Sequence, residues 1–495
     1  MNRNRTTLFL LLAASVLMSL FYIPHYNEIV GDKEVYRYQG LLMHKGGVPY
    51  RDAFDHKPPL IFFFNYAGVL LNGWMRWIID TALVLLATFL FFRLGKKHKL
   101  PYPWLPPLLF NLMIRDHLLC LGEGMTREYT AIFTIIFFCI FLEKHRLRYI
   151  GLGFMSGCIF FMQQDQILQL LPYFLYSFLP GTDNIPVSRR LLRISVGFAA
   201  VALPLILYFS WNHALAVSWR DAFVFNFGWY TQTLKESFAD HIIKLKILMD
   251  RGNYEVAVLV TVTIGISAFF LRSTHRRMIL LALAAVPLSI ATEFMGGRDV
   301  VPNMYNTTFT HYVLPLAASI PVLLFCVFAF SNDPVLSGYK AHAIYGCLVC
   351  VSLAYTAIQH GTHLKTIDRD EVVSSPELRY LRQQRPADYQ FYVFGSINSL
   401  YISNELNVRS PSVWIYQHFW RLYPNWDADL RLLRSIEQDL VSHRTEFVLD
   451  LTIPDKWFAN PLAEKEWRGF LRDNYEPVMG NPVLLSVLYK RKEGH

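Results

Sequence analysis

Long hydrophobic runs recur along this chain from its start to about residue 360. Each is about 17 to 20 residues long, the length that a helix needs to cross a hydrocarbon core of roughly 30 Å. Of the 495 residues, 53% are hydrophobic and only 17% are charged, which is too apolar for an ordinary soluble enzyme of this size. The sequence therefore predicts a polytopic α-helical membrane protein.

The runs predict about 11 transmembrane helices by length and apolarity. They are residues 7–24, 75–93, 103–120, 128–143, 149–164, 166–180, 192–210, 254–271, 277–293, 312–330 and 341–359. The apolar run at 60–74 is shorter and contains Asn65 and Tyr66. We interpret it as an interfacial or re-entrant helix rather than as a span.

Lysine and arginine residues form clusters beside the ends of the hydrophobic runs. With these eleven spans every cluster falls on the same side, which the positive-inside rule identifies as the cytoplasm. The clusters are Arg3 with Arg5, and residues 93–99, 144–148, 189–193 and 272–277. We therefore predict an inner (plasma) membrane protein with a cytoplasmic N-terminus. The first run is expected to be a retained anchor, since no small-residue cleavage site follows it.

Two regions follow from this topology. Residues 1–360 are predicted to form the transmembrane module, whose first outer loop is 25–60, and residues 361–495 an extracytoplasmic α/β domain. In that tail, "FYVFGSINSLYISNELN" and "EFVLDLTIP" favour strands, while "NPLAEKEWRGFLRDNY" favours an amphipathic helix. The net charge of +9 reflects the cytoplasmic clusters. It does not indicate a nucleic-acid partner, because no basic and aromatic recognition pattern accompanies it.

The first outer loop begins with two acids, Asp32 and Glu34, that are separated by one residue. Carboxylates this close can share a divalent metal, or one can act as a general base while the other tunes its pKa. A solvated turn would hold the same residues. The sequence leaves the metal open and requires no cofactor.

The same loop ends in a dense group of polar side chains before Pro58 and Pro59 open the next apolar run. The group consists of Tyr50, Arg51, Asp55, His56 and Lys57. A cation at a helix start, at the depth of the headgroups, suits the phosphate of a lipid. The alternative is a lysine that merely extends from the helix end towards water.

Further polar residues are predicted on the same outer face. Glu128 lies at the outer end of the fourth span, and Arg298, His311 and Tyr312 lie in a later outer segment. A single histidine at a helix start is more often a cap than a ligand. Convergence on one membrane face nevertheless favours a shared binding site.

The motif "GDKEVYRYQGLLMHKGGVPYRDAFDHKPPL" resembles the first extracytoplasmic loop of bacterial membrane glycosyltransferases related to the protein O-mannosyltransferases and to the aminoarabinose transferase of lipid A. Such relatives have an acidic pair after the first span, then a G-x-PY-x-D segment and a K-P-P helix opening. "SWRDAFVFNFGWY", "GGRDVVPNMYNTTFTHYVLPL" and "FYVFGSINSLYI" are similar to later landmarks of that group. The resemblance covers most of the chain.

This resemblance implies a GT-C type fold and a hexosyl- or pentosyl-type transfer from a polyprenyl-phosphate sugar, with inversion, to a glycan, lipid or protein hydroxyl outside the membrane. It implies that Asp32 or Glu34 is the catalytic carboxylate and that Lys57 lies near the donor phosphate. Arg298 and His311 would line the pocket.

Two departures from the pattern concern the site. Lys33 separates the two acids that many relatives have side by side, so either can be the base. Gln163 or Gln164 stands where relatives often have a lysine.

The rival interpretation is a flippase or transporter of lipid-linked glycans, which would use the same basic outer cavity without chemistry. Paired charges at mid-membrane and an inverted repeat would favour it. The sequence shows its charges at one interface and no repeat. A ligand sensor would leave the first-loop acids unexplained.

Overall fold

The computed structural model describes most of the chain. The described residues are 3–22, 31–115, 124–181, 183–230, 276–295, 314–330, 375–395, 400–417, 427–452, 458, 460–481 and 486–493. The predicted spans 254–271 and 341–359 lie outside them. So do the predicted site residues Arg298, His311 and Tyr312.

The described residues up to 330 are almost entirely helical. Their helices are α1 (Arg3–Ser19), α2 (Gly31–His44), α3 (Leu60–Val69), α4 (Trp74–Lys97), α5 (Leu105–Ile114), α6 (Thr126–Leu142), α7 (Arg148–Met162), α8 (Leu171–Phe178), α9 (Val187–Trp211), α10 (Leu215–Trp219), α11 (Arg276–Met295) and α12 (Leu316–Phe330). Short 3-10 turns occupy Leu20–Tyr22, Leu70–Gly73 and Gln164–Leu170, and π-helical turns occupy Arg220–Val224 and Asn226–Tyr230.

Two of these helices, α4 and α9, are long and apolar enough to cross a membrane by length and composition. They coincide with the spans predicted at 75–93 and 192–210. Several other predicted spans fall on helices that are shorter than a membrane crossing, among them α1, α5, α7 and α12. The structure therefore supports a multi-helix membrane fold.

Helix α6 lies at the centre of the module. Nearly all of its side chains are buried, including the polar ones of its first turn. It packs against α4, α7 and α12, and α7 in turn packs closely on α9. Glycine makes this last contact possible, because a Cβ at Gly153 would lie 1.9 Å from the carbonyl oxygen of Ile194.

Helix α2 holds the two acids of the first loop, so the solvated turn considered from the sequence is not what forms. The helix is amphipathic and buries Val35, Tyr36, Tyr38 and Leu42. It packs on α3 at Gly40, where a Cβ would lie 2.5 Å from the backbone carbonyl carbon of Asn65. Helix α3 matches the short helix predicted at 60–74.

The described residues from 375 form a second unit, here called the αβ unit. Its helices are α13 (Pro376–Gln384), α14 (Leu400–Leu406), α15 (Arg431–Ser442) and α16 (Pro461–Asn474), and its strands are β1 (Phe391–Phe394), β2 (Phe447–Asp450), β3 (Tyr475–Asn481) and β4 (Ser486–Arg491). The sheet order is β1-β2-β4-β3, with β1 and β2 parallel and the other two pairs antiparallel. Trp467 on α16 is fully buried and stacks on Phe394 at 3.9 Å between ring centroids.

The sequence expectations for this unit succeed in part. The predicted amphipathic helix is α16, and strands were expected where β1 and β2 lie. The strand expected through "LYISNEL" is wrong, since these residues form helix α14. This helix packs against α2 of the transmembrane module, a contact that a sequence pattern does not show.

Candidate active site

The turn before α3 is held in a strained conformation. Tyr50 has a φ of 67°, in the left-handed region that costs a side chain other than glycine free energy. Its buried ring contacts Phe62 and Phe209, each at 5.4 Å between centroids. Its hydroxyl donates to the backbone carbonyl of Lys57 at 2.7 Å. The role of Tyr50 is therefore to fix the backbone that carries Lys57.

Asp55 stabilises the same turn through hydrogen bonds to its backbone. Its Oδ1 accepts the backbone N–H groups of His56 at 2.6 Å and of Lys57 at 3.1 Å. Burial raises the pKa of Asp55 to about 7, against the opposing effect of the Lys57 charge and the two N–H groups. Its buried Oδ2 receives no hydrogen bond from a described residue. Asp55 thus combines a structural role with a carboxylate poised near neutral pH.

Lys57 and Asp32 meet where α2 passes the start of α3. Lys57 Nζ lies 3.9 Å from Asp32 Oδ2, and the side chains are 14% and 35% exposed. The Tyr36 hydroxyl donates to the same Asp32 oxygen at 3.4 Å. Burial, followed by the nearby Asp32 charge, raises the pKa of Tyr36 well above its usual value, so the phenol stays protonated. A cation and a carboxylate thus face a place that solvent can reach.

Glu34 lies on the other face of α2, because residues two positions apart do not share a helix face. It is buried and accepts a hydrogen bond from Asn404 Nδ2 of the αβ unit at 2.7 Å. Arg37 lies 3.7 Å from the same Glu34 oxygen. Its partners show that Glu34 joins α2 to the αβ unit.

This separation bears on the metal considered from the sequence. Asp32 and Glu34 contact different partners and do not converge, so they do not fit a metal shared between them. Within the described ranges, no group of three or more histidine, cysteine, aspartate or glutamate side chains has the proximity of a metal site.

The remaining loop residues have mainly local partners. Arg51 pairs with its neighbour Asp52 at 2.7 Å and donates to the carbonyl of Asn212 at 3.0 Å. Asn226, in the second π-helical turn, donates to the carbonyl of His56 at 2.6 Å. These contacts tie the loop to the end of α9 and to the segment that follows it.

Glu128 does not join this group. It is fully buried, its Oε1 lies 3.0 Å from Arg115 Nη1, and its Oε2 accepts the N–H of Gly124 at 2.7 Å. A second pair adjoins it, since Arg76 Nε lies 3.6 Å from Asp80 Oδ2 and the Tyr129 hydroxyl donates to Asp80. The ion-pair cluster is the set Arg76, Asp80, Arg115, Glu128 and Tyr129. The candidate-site cluster is the set Asp32, Tyr36, Asp55, His56 and Lys57.

Sequence reasoning missed several residues at the site. Tyr36 was detectable, because it follows Asp32 by four residues and shares its helix face. Thr126 was not, although its hydroxyl donates to Gln163 at 2.7 Å, one of the two glutamines that the sequence comparison singled out. Tyr416 was not detectable either, because it is 360 residues from its partner His56.

Comparison with solved structures finds the same fold over nearly the whole chain. ArnT from Cupriavidus metallidurans in the apo state aligns with a TM-score of 0.59 and 12% sequence identity, covering 97% of each chain. ArnT from the same organism, bound to undecaprenyl phosphate, aligns with a TM-score of 0.53 and 11% identity, covering 98% of each chain. No protein-family model matches the sequence, and no curated protein matches it.

An alignment of this extent at such low identity is evidence about the fold. The alignments extend over 97% and 98% of this chain, so they include residues of both the helical module and the αβ unit. The resemblance indicated by the first-loop motif is therefore confirmed at the level of architecture: this chain has the GT-C fold of the ArnT structures.

Proposed function

We propose that this protein is an integral-membrane glycosyltransferase that moves a sugar from a polyprenyl-phosphate donor to an acceptor hydroxyl. The reaction takes place at the extracytoplasmic face of the inner membrane, on the side of the αβ unit, and inverts the configuration of the sugar. The undecaprenyl phosphate in the similar ArnT structure supports a donor of this class.

One observation carries the proposal. Lys57 Nζ and Asp32 Oδ2 lie 3.9 Å apart beside a strained turn, with both side chains partly exposed. A phosphate would bind the ammonium group of Lys57, and the carboxylate would then be free to act on an acceptor hydroxyl nearby. Burying charged groups even in part is costly, and the strain of the turn supports a functional reason for keeping them.

The reaction follows from these two groups. Asp32 removes the proton from the acceptor hydroxyl. At the same time the acceptor oxygen forms a bond with the anomeric carbon of the sugar. The bond between that carbon and the phosphate oxygen breaks at the same time, and the electron pair leaves with the polyprenyl phosphate. Lys57 stabilises the charge that develops on the leaving phosphate. Displacement in one step inverts the anomeric centre.

Asp32 is the base in this proposal, because Glu34 is buried against Asn404 and Arg37 on the opposite face of α2. General-base catalysis typically contributes about 10²- to 10⁴-fold, so we expect Asp32→Asn to lose transfer by that factor. Glu34→Gln is the matched control. It can still accept the hydrogen bond from Asn404, and we expect it to keep most of the activity.

The test incubates the purified full chain with a panel of polyprenyl-phosphate sugars and membrane acceptors, with and without a chelator. Transfer by the wild type that Asp32→Asn abolishes would support the proposal. Retention of transfer in Asp32→Ala would refute the assignment of the base. Translocation of the intact lipid-linked sugar without transfer would identify a flippase instead.

A further inference from the structure

A loop of the αβ unit lies directly against the strained turn. The backbone N–H of Phe54 donates to the carbonyl of Val413 at 2.7 Å, and the rings of Phe54 and Trp414 are 4.7 Å apart between centroids. The backbone N–H of Ser410 donates to the hydroxyl of Tyr38 on α2 at 2.6 Å. The αβ unit therefore forms part of the wall around the turn.

Tyr416 is the residue of this loop that contacts the candidate-site cluster. Its side chain is buried. Its hydroxyl oxygen lies 3.2 Å from His56 Nδ1 and 3.4 Å from Asp55 Oδ1. A phenol has a single proton to donate. Both contacts are hydrogen bonds when His56 donates from Nδ1 to the phenol oxygen and the phenol O–H donates to Asp55.

This arrangement connects Tyr416 to Lys57 through one carboxylate oxygen. Asp55 Oδ1 accepts from the Tyr416 hydroxyl and also from the backbone N–H of Lys57. A carboxylate that receives several hydrogen bonds is held in one orientation, and it holds its donors in return. Removal of the Tyr416 hydroxyl would leave Asp55 and the Lys57 backbone less firmly placed.

We propose that Tyr416 is a positioning residue, through which the αβ unit fixes the Asp55 turn so that the Lys57 ammonium group faces Asp32. Its role in the chemical step rests on the proposed function. Its role in placing Lys57 does not, since that is a property of the protein without substrate.

The electrostatic surroundings of Asp55 supply a signature for this role. Three titratable groups near Asp55 belong to the same loop, namely Tyr50, His56 and Lys57. Helix α2 contributes Asp32 and Tyr36, and Arg127 lies beside Tyr36. The αβ unit contributes Tyr416. Burial raises the pKa of Asp55 to about 7. A hydrogen bond from Tyr416 favours the ionised form, so its loss would raise this pKa further.

The experiment compares Tyr416→Phe with Tyr475→Phe in the full chain. Tyr475 is a matched control, because its hydroxyl donates within the αβ unit, to the carbonyl of Thr445 at 3.1 Å. We expect Tyr416→Phe to lower kcat about tenfold or more, with a smaller change in KM, since a misplaced Lys57 fails mainly in the transition state. As the pH is lowered, Tyr416→Phe should lose activity at a higher pH than the wild type does, because the pKa of Asp55 is raised in the variant. Tyr475→Phe should change neither.

A second readout needs no substrate. An amine-reactive N-hydroxysuccinimide ester is applied to the same proteins, and the labelling rate of Lys57 is measured by mass spectrometry. We expect Lys57 to react several-fold faster in Tyr416→Phe than in the wild type and in Tyr475→Phe, because its backbone is released from Asp55. Equal labelling rates in the two variants would overturn the proposal. Absence of transfer by the wild type would overturn the proposed function and leave this readout intact.

Discussion

Two groups of charged side chains in this protein look alike in the sequence and differ in the structure. In the ion-pair cluster, Arg115 and Glu128 are fully buried at 3.0 Å, and Asp80 is fully buried beside Arg76. In the candidate-site cluster, Lys57 and Asp32 are 3.9 Å apart and partly exposed. Three members of the first group, Asp80, Arg115 and Glu128, are fully buried among the described residues, whereas both Lys57 and Asp32 of the second are partly exposed.

The difference shows how to separate structural charges from functional ones. A buried pair is costly to desolvate, and each member depends on the other. A looser, accessible pair gains less from mutual attraction, but it can exchange its partner for a substrate. Glu128 was predicted as a binding residue, but it belongs to a buried ion pair. Lys57 was predicted as the phosphate ligand, and it belongs to an accessible pair.

The largest effect on stability is expected from breaking the closed cluster. Glu128→Gln leaves the buried Arg115 charge without its carboxylate, which typically costs about 3 to 5 kcal/mol of unfolding free energy. The measurement is thermal unfolding of the purified protein in detergent. Glu143→Gln, just after the other end of α6, is the control, since its partner Lys97 is about half exposed and the pair contributes less than about 1 kcal/mol.

The double variant Arg115→Met/Glu128→Leu sharpens this test. Replacing both charges with apolar groups of similar volume also removes the buried Arg115 charge, so much of the lost stability should return. A Glu128→Gln protein that melts like the wild type and yet transfers no sugar would assign Glu128 to the active site and remove the contrast between the clusters.

The open cluster should respond in activity rather than in stability. Lys57→Met removes the cation proposed to stabilise the leaving phosphate, a loss that we expect to lower kcat by about 10² to 10³. Its melting temperature should stay close to that of the wild type, because the pair with Asp32 is long and partly exposed. Lys97→Met is the control for loss of a lysine. A Lys57→Met protein that transfers sugar at the wild-type rate would contradict the proposed donor site.

The smallest effect is expected at the junction of α2 and the αβ unit. Arg37 is 43% exposed and lies 3.1 Å from Glu405 and 3.7 Å from Glu34. Exposed pairs of this kind contribute roughly 0 to 1 kcal/mol, so Arg37→Ala should change melting and transfer only slightly. A hundredfold loss of transfer in assays of this variant would show that the Glu34 face of α2 also serves the reaction.

Much of the helical module could be predicted from the sequence. A long apolar run forms a helix in a membrane, since a helix satisfies its own backbone hydrogen bonds. Helices α4 and α9 lie where such runs were identified. The short helix α3 and the amphipathic helix α16 were also predictable, the first from its length and the second from its periodicity. Helix α14 was not, because its contact with α2 outweighs the strand propensity of its residues.

The sequence by itself determined the membrane class, the architecture indicated by the first-loop motif, and the loop in which Lys57 and Asp32 occur. Hydrophobic length and local motifs are encoded by neighbouring residues, so the sequence is enough for these. Only the tertiary structure decided which charges are open. Helix formation puts Asp32 and Glu34 on opposite faces of α2, folding of the module buries Glu128 against Arg115, and docking of the αβ unit brings Tyr416 to Asp55. Each outcome depends on partners distant in sequence or on helix geometry, and spacing along the chain alone does not specify them.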